Sequence, residues 1–227
     1  MMTPDQRQAV EAAVKDAESR TSGEIYCVVA AASSDYREVV LAWAAGVALL
    51  APALLLLGGL RISAPDVLVG WSAAQAAERS VRAALVGAIL LQGVLFGLTA
   101  VLVSFPPVRR RLTPGGLKRQ RVRERAVEQF FGRNLQATRE RTGVLIFVSL
   151  EERLAEIVAD DGIAGRVEPA VWDRAMAALV DGMRRDDPGS GFAEAVGLCG
   201  DVLAAHFPVR DDNPDELPNA LVELPRS

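Results

Sequence analysis

Aromatic residues, cysteine and histidine are all scarce in this 227-residue chain. Phe, Trp and Tyr together make up 5% of it, and it has two cysteines and one histidine. Cys27 and Cys199 form no C-x-x-C pair, which excludes the usual zinc and dithiol redox motifs, and two free thiols in apolar runs suit a reducing compartment. His206 lies on the apolar stripe of the last predicted helix, so we expect a packed or helix-end residue rather than a ligand.

Charged side chains are absent from two long stretches, residues 39–60 and 83–105. Each stretch is longer than the roughly 20 residues that a helix needs to cross a bilayer, and buried core helices rarely stay uncharged for so long. The first stretch begins too far into the chain to be a secretory signal. The two stretches therefore predict a transmembrane hairpin, and their lack of charge argues against an ion path or a transporter.

Basic residues are distributed unevenly around the predicted spans. Three arginines lie between the spans, whereas eight basic residues follow the second one. These eight are Arg109, Arg110, Arg111, Lys118, Arg119, Arg121, Arg123 and Arg125. The positive-inside rule then predicts a multi-pass protein of the cell (inner) membrane with both termini in the cytoplasm. Because the net charge is −4, we expect Arg109, Arg110 and Arg111 to contact anionic membrane lipid and not nucleic acid.

The predicted hairpin, residues 39–105, separates two pieces that we expect to fold together. Residues 1–38 are too few to bury a core of their own. They open with a capping box at "TPDQ" and predict a helix and then a buried strand, "EIYCVVA". Residues 106–207 supply the remainder of the domain. Residues 208–227, acidic and with four prolines, predict a flexible tail.

The second piece carries a strand hairpin between helices. The apolar runs 143–150 and 154–159 are joined by a tight connection, "EER", and two further helices are predicted after them. Strands that are apolar throughout are typical of a sheet covered on both sides. The pattern therefore predicts an α/β fold, a small mixed-sheet sandwich with helices on both faces, interrupted by a two-helix transmembrane hairpin.

Polar residues cluster where the two main predicted strands end, and ligands of open α/β sheets bind at such ends. If the strands run parallel, the two groups meet at one edge of the sheet. The residues are Ser33, Ser34 and Asp35 after the first strand, and Glu151, Glu152 and Arg153 after the second. The three carboxylates would suit Ca²⁺ or Mg²⁺, and Arg153, Ser33 and Ser34 an anion or phosphate. The alternative is a solvated hairpin turn in which Arg153 pairs with a neighbouring acid.

A second acidic pair, Asp160 and Asp161, follows the returning strand. An antiparallel return places this pair at the opposite end of the hairpin, roughly 15–20 Å from the first acidic group. The two groups are therefore not expected to share one metal ion. We expect Asp160 and Asp161 instead to cap a short helix or to shape the "DDG" turn.

Several segments together resemble one family. They are Ser22-Gly23-Glu24 before the first strand, Gly143 to Val148 in the second, Glu151-Glu152-Arg153 after it, and Gly162-Ile163 at the next turn. In this order they resemble the TPM domain, a family of thylakoid, photosystem-assembly and membrane proteins. The family's two asparagines before the glycine are replaced here by Arg141 and Thr142, and its aspartate by Glu152.

The resemblance implies an α/β sandwich and a membrane-linked function. Members of the family are described as phosphatases, as accessory or assembly factors of membrane complexes, and as calcium binders. We accordingly expect a membrane-anchored protein with a cytoplasmic TPM-like domain that assists a membrane complex through a membrane-protein partner. The alternative is a metal-dependent phosphatase that acts on a phosphate ester, although no nucleophile–base pair is evident in the sequence.

Overall fold

The computed structural model describes residues 2–58, 73–210 and 217–225, and it divides the chain into two units. The α/β unit comprises Met1–Asp35 and Gly115–Ser227, and the hairpin unit is Tyr36–Pro114. In the described residues there are eight α-helices and one four-stranded sheet. The helices are α1 (Pro4–Glu18), α2 (Arg37–Leu57), α3 (Ala73–Ser104), α4 (Pro106–Leu112), α5 (Gly115–Gly132), α6 (Asp161–Ala164), α7 (Asp173–Arg184) and α8 (Pro188–His206). The strands are β1 (Glu24–Ala30), β2 (Gly143–Ser149), β3 (Leu154–Ala159) and β4 (Val222–Leu224).

The sheet is mixed, with the strand order β3-β2-β1-β4. β1 and β2 are parallel, from Glu24 opposite Gly143 to Ala30 opposite Ser149. β3 returns antiparallel to β2, and β4 is parallel to β1. Every residue of β1 and β2 is buried, as expected for central strands with helices on both faces. The predicted α/β fold class is confirmed.

Alternate side chains of the strands enter two separate cores, one on each face of the sheet. On one face Ile25 and Ile146 pack with residues of α1, α7 and α8, including the fully buried Phe192 and Leu203. On the other face Phe147 and its neighbours pack with the apolar stripe of α5. Both pieces of the α/β unit contribute to each core, so neither piece has a complete core alone.

Helix α1 begins as its sequence predicts. The Thr3 hydroxyl accepts from the Gln6 N–H at 3.2 Å, and the Gln6 side chain accepts from the Thr3 N–H at 2.9 Å. This capping box satisfies two donors at the start of the helix. The Gln6 amide also donates to Asp187, just before α8, at 2.9 Å, so the cap connects α1 to α8.

Two glycines allow α7 and α8 to approach closely. A Cβ atom on Gly182 would lie 2.6 Å from the Cα of Gly191, and one on Gly191 would lie 2.9 Å from the Cα of Gly182. These distances are shorter than any ordinary carbon–carbon contact. The two backbones are therefore in contact where the helices cross, and a larger residue at either position would separate them.

The hairpin unit contains two helices that are long and apolar enough to cross a membrane, over Arg37–Leu55 and Leu85–Ser104. Leu49, Leu54, Leu90 and Leu98 are each more than 60% exposed, a surface that suits lipid and not water. α4 follows α3 and carries Arg109, Arg110 and Arg111 in its last turn. Residues 59–60 of the first predicted span, and the connection to residue 72, lie outside the described residues.

The prediction of a flexible tail over 208–227 is wrong for residues 217–225. Val222–Leu224 forms β4 along the edge of β1, and Leu221 is buried. Glu223 accepts from the Arg7 guanidinium at 2.8 Å. The short run "LVEL" is apolar enough to cover an open strand edge. The prolines and acidic residues elsewhere in 208–227 favoured the prediction of a flexible tail instead. Residues 211–216 and 226–227 of the predicted tail lie outside the described residues.

Candidate functional site

The parallel pairing on which the predicted site depends is present. Ala30 lies opposite Ser149 at the carboxyl ends of β1 and β2. The ladder continues beyond the strands, because the N–H of Leu150 donates to the Ala30 carbonyl at 3.0 Å and that of Glu151 to the Ala31 carbonyl at 3.1 Å. The loop after β1 and the turn after β2 therefore lie side by side.

Ser33, Ser149 and Glu152 form one hydrogen-bonded group at this edge, here called the edge cluster. The Ser33 hydroxyl donates to the Ser149 hydroxyl at 2.9 Å, and the Ser149 hydroxyl donates to the Glu152 carboxylate. The Ser33 N–H also donates to both carboxylate oxygens, at 3.3 Å each. Ser149 is fully buried and Ser33 nearly so. Such a chain of donors aimed at one carboxylate is cooperative, since each bond polarises the next.

Ser149 was not identified from the sequence, although it completes the edge cluster. It ends an otherwise apolar strand, "GVLIFVS", so the sequence pattern includes it in the buried run. A buried hydroxyl needs a partner. The sequence signal for this hydrogen bond is a serine at the last position of an apolar strand with a carboxylate three residues later.

Arg153 lies outside the edge cluster and pairs elsewhere. It occupies the left-handed region at the end of the β2–β3 turn, with a φ of 53°. Its guanidinium is 3.3 Å from the Asp186 carboxylate, and both side chains are mostly exposed. This is the pairing with a neighbouring acid that the sequence left open, and such exposed pairs contribute little stability. Arg153 and Asp186 line a cleft of about 370 Å³ together with Thr3, Gln6 and Leu150.

The remaining predicted ligands flank the edge cluster. Ser34 and Asp35 are partly exposed in the loop that leads from β1 to α2, and Glu151 is partly exposed in the β2–β3 turn. Among the described residues, no group of three or more His, Cys, Asp or Glu is arranged to hold a metal ion. The Glu152 carboxylate already accepts hydrogen bonds from the Ser33 N–H and the Ser149 hydroxyl, so a Ca²⁺ or Mg²⁺ ion at this carboxylate would compete with these two donors. The residues thus fit a cation poorly, and the metal assignment of Glu151, Glu152 and Asp35 stays a prediction.

Asp160 and Asp161 are placed at the opposite end of the hairpin, as predicted. β3 runs back from Leu154, opposite Ser149, to Ala159, opposite Val144. The Asp160 carboxylate accepts from the Asp161 N–H at 2.6 Å and caps α6. The Arg141 guanidinium is 3.2 Å from Asp160 and 2.9 Å from Asp161. This pair is therefore a capping and ion-pair motif, remote from the edge cluster.

The cysteines and the histidine contribute no reactive group to the edge cluster. Cys27 and Cys199 are buried in the same core. Burial raises the pKa of the Cys199 thiol to about 12, and burial together with nearby Cys199 and Glu18 raises the pKa of Cys27 well above its ordinary value. Thiols in this state are poor nucleophiles. His206 is the last residue of α8, a helix-end position as expected.

Comparisons with known proteins establish the fold and not a family. No family model matches the chain, and no curated protein matches it. Its structure is similar to the NMR structure of the BA42 protein from the psychrophilic bacterium Bizionia argentinensis. The two have 19% sequence identity and a TM-score of 0.55, and the match covers 98% of this chain and 95% of the other. At this level of identity the chain is similar to that protein in fold alone.

Proposed function

We propose that this chain is a membrane-anchored protein of the TPM type whose α/β unit faces the cytoplasm and serves as an accessory or assembly factor for a membrane complex. The observation that carries the proposal is the combination, in one chain, of two apolar helices with exposed leucines and an α/β unit. The helices supply an anchor. The α/β unit then supplies a binding surface that is held close to other membrane proteins.

The proposed orientation is supported by the charge next to the anchor. α4 directly follows α3 and presents three successive arginines in its last turn. Basic residues near a span favour the cytoplasmic side and attract anionic lipid headgroups. With two crossings, both termini lie on that side.

The state of the edge cluster favours binding over catalysis. Its carboxylate is occupied by the Ser33 N–H and the Ser149 hydroxyl, and the nearby Arg153 is paired with Asp186. The bonds to Glu152 join the loop after β1 to the β2–β3 turn. The Glu152 carboxylate, which could otherwise act on a substrate, thus holds two loops of the α/β unit together.

A metal-dependent phosphatase acting on a phosphate ester is the second candidate, and the Ser33–Ser149–Glu152 chain favours it. An oxygen nucleophile is activated by an adjacent general base that a third group holds in place, and a hydroxyl hydrogen-bonded to a carboxylate supplies the first two of these groups. The cleft beside Arg153 would have room for a phosphate group. The buried position of Ser149 argues against direct attack by its hydroxyl.

Two measurements separate these candidates. The full chain purified in mild detergent should co-purify with a membrane protein, and migration as a single 24.2 kDa chain would refute the accessory role. Hydrolysis of p-nitrophenyl phosphate with Mg²⁺, Mn²⁺ or Ca²⁺ tests the enzyme. Activity that Glu152→Gln abolishes and Glu194→Gln retains would establish the phosphatase. A reporter fused after Ser227 checks the orientation, which an external C-terminus would contradict.

A further inference from the structure

β3 is an edge strand whose outer side has no neighbouring strand among residues 2–58, 73–210 and 217–225. The Asp160 N–H donates to the Gly143 carbonyl at 3.0 Å. In an antiparallel ladder, hydrogen-bonded pairs recur every second residue, so Leu154, Glu156 and Val158 direct their main-chain groups to β2. The main-chain N–H and C=O groups of the intervening residues, Ala155, Ile157 and Ala159, consequently point to the open edge.

This open edge forms the floor of a groove between two helices, here called the edge groove. The groove has a volume of about 360 Å³. Its residues are Arg119, Gln120, Val122 and Arg123 of α5, Leu154, Ala155 and Glu156 of β3, and Met176 and Val180 of α7. A strand edge at the bottom of a groove is the usual setting for a peptide that binds by adding a strand to a sheet.

The two walls of the edge groove differ in chemistry. The α7 wall is apolar, with Met176 and Val180 partly exposed. The α5 wall is cationic: Arg123 pairs with Glu156 and keeps a side chain that is 71% exposed. Arg119 is exposed and has no ion pair within the part of the chain that the structure describes. Alternate side chains of an added strand would face these two walls in turn.

We propose that the edge groove binds an extended peptide segment of a partner protein as a further strand beside β3. The segment carries acidic side chains toward Arg119 on α5 and apolar side chains toward Met176 and Val180 on α7. This inference rests on the proposed accessory function and gives it a binding mode. Main-chain hydrogen bonds to Ala155, Ile157 and Ala159 supply affinity, and the two walls supply specificity.

Charge favours a foreign segment over a second copy of this chain. Antiparallel pairing of β3 with β3 about a two-fold axis perpendicular to the sheet would place α5 beside α5, because that axis keeps each face of the sheet continuous. α5 carries five basic residues and two acidic ones. Such a dimer would bring like charges together, whereas an acidic strand would complement them.

The test uses the full chain in detergent and a fluorescein-labelled peptide of about seven residues with alternating Glu and Val. We expect saturable binding that weakens as salt is raised. Within 154–159, the amides of Ala155, Ile157 and Ala159 should exchange more slowly in the complex. A Lys/Val peptide of the same length should not bind. Arg119→Glu should weaken the affinity about tenfold or more, whereas Arg133→Glu, the same charge change at an exposed site outside the groove, should leave it unchanged.

Three results would overturn the proposal. They are the absence of binding up to about 1 mM peptide, protection of amides only outside 154–159, and equal binding by the Arg119→Glu and Arg133→Glu variants. Protection of the 154–159 amides that grows with protein concentration without peptide would identify a second copy as the occupant. If a membrane partner co-purifies equally with wild type and Arg119→Glu, the accessory function stands while the edge groove is not its binding site.

Discussion

The N–H of Ser33 donates to both carboxylate oxygens of Glu152, which lies 119 residues further along the chain. Ser33 follows β1 and Glu152 follows β2, so this contact joins the two pieces of the α/β unit, which residues 36–114 separate in the sequence. The same carboxylate also accepts a hydrogen bond from the Ser149 hydroxyl, which is fully buried and needs a partner. The main role of the Glu152 carboxylate is therefore to accept hydrogen bonds that connect the loop after β1 to the β2–β3 turn.

Removing this acceptor should destabilise the α/β unit. Glu152→Ala leaves the Ser33 N–H and the buried Ser149 hydroxyl without their acceptor, and we expect the free energy of unfolding to fall by about 2 kcal/mol. Glu152→Gln retains an acceptor oxygen and should cost less. Pulse proteolysis of the full chain in urea measures both. Glu194→Ala removes an exposed carboxylate of α8 and serves as the control. Equal stabilities of Glu152→Ala and the control would contradict this role.

The Asp160 cap can be tested in the same way. Asp160 is buried, caps α6 and lies 3.2 Å from the Arg141 guanidinium. Asp160→Ala should lower the free energy of unfolding by about 2 kcal/mol, since the cap and the ion pair are both lost. Asp160→Asn keeps a capping oxygen and should lose less than half as much. If Asn and Ala are equally destabilising, the cap contributes nothing and the charge alone matters.

The crossing of α7 and α8 depends on the absence of a side chain at Gly182. Gly182→Ala would place a Cβ atom 2.6 Å from the Cα of Gly191, and the forced separation of the helices should cost about 1–3 kcal/mol. Gly197→Ala is the matched control, because a Cβ atom there meets nothing within 4 Å. In a helix this control should instead add about 0.5–1 kcal/mol. Melting temperatures that rise for both variants would show that the helices can separate freely.

The buried thiols predict both a reactivity and a pH dependence. Cys27 and Cys199 should resist iodoacetamide at about pH 8 in the folded chain and react once urea unfolds it. Because burial raises the pKa of Cys199 from 9.0 to about 12, the folded thiol keeps its proton where an unfolded one loses it. Its contribution to stability is complete below pH 9.0 and is lost as the pH rises toward 12. Cys199→Ala should flatten this decline, and rapid alkylation of the folded protein would contradict the burial.

Much of the fold follows from local patterns in the sequence. The uninterrupted apolar runs of β1 and β2 indicated two central strands, and the shortage of core residues in 1–38 indicated that the second piece must complete the sheet. The parallel pairing of these strands then placed the loop after β1 beside the turn after β2. Ser33 and Glu152 were therefore brought together by topology alone.

Other features depend on contacts that no local pattern encodes. β4 is three residues long, too short for any periodicity, and it forms because the edge of β1 is available. The partner of Arg153 is an aspartate 33 residues away along the chain, a contact that only the folded chain provides. Ser149 was hidden because a single hydroxyl at the end of an apolar strand does not alter the pattern.

Photo-crosslinking in intact cells tests the central claim, partner binding by the α/β unit, most directly. A benzophenone amino acid replaces either Gln120, which lines the edge groove, or Glu194, which is exposed on α8. We predict that irradiation joins the chain at residue 120 to another membrane protein and that the product is absent at residue 194. No crosslinked product at residue 120, or the same products at both positions, would contradict the account.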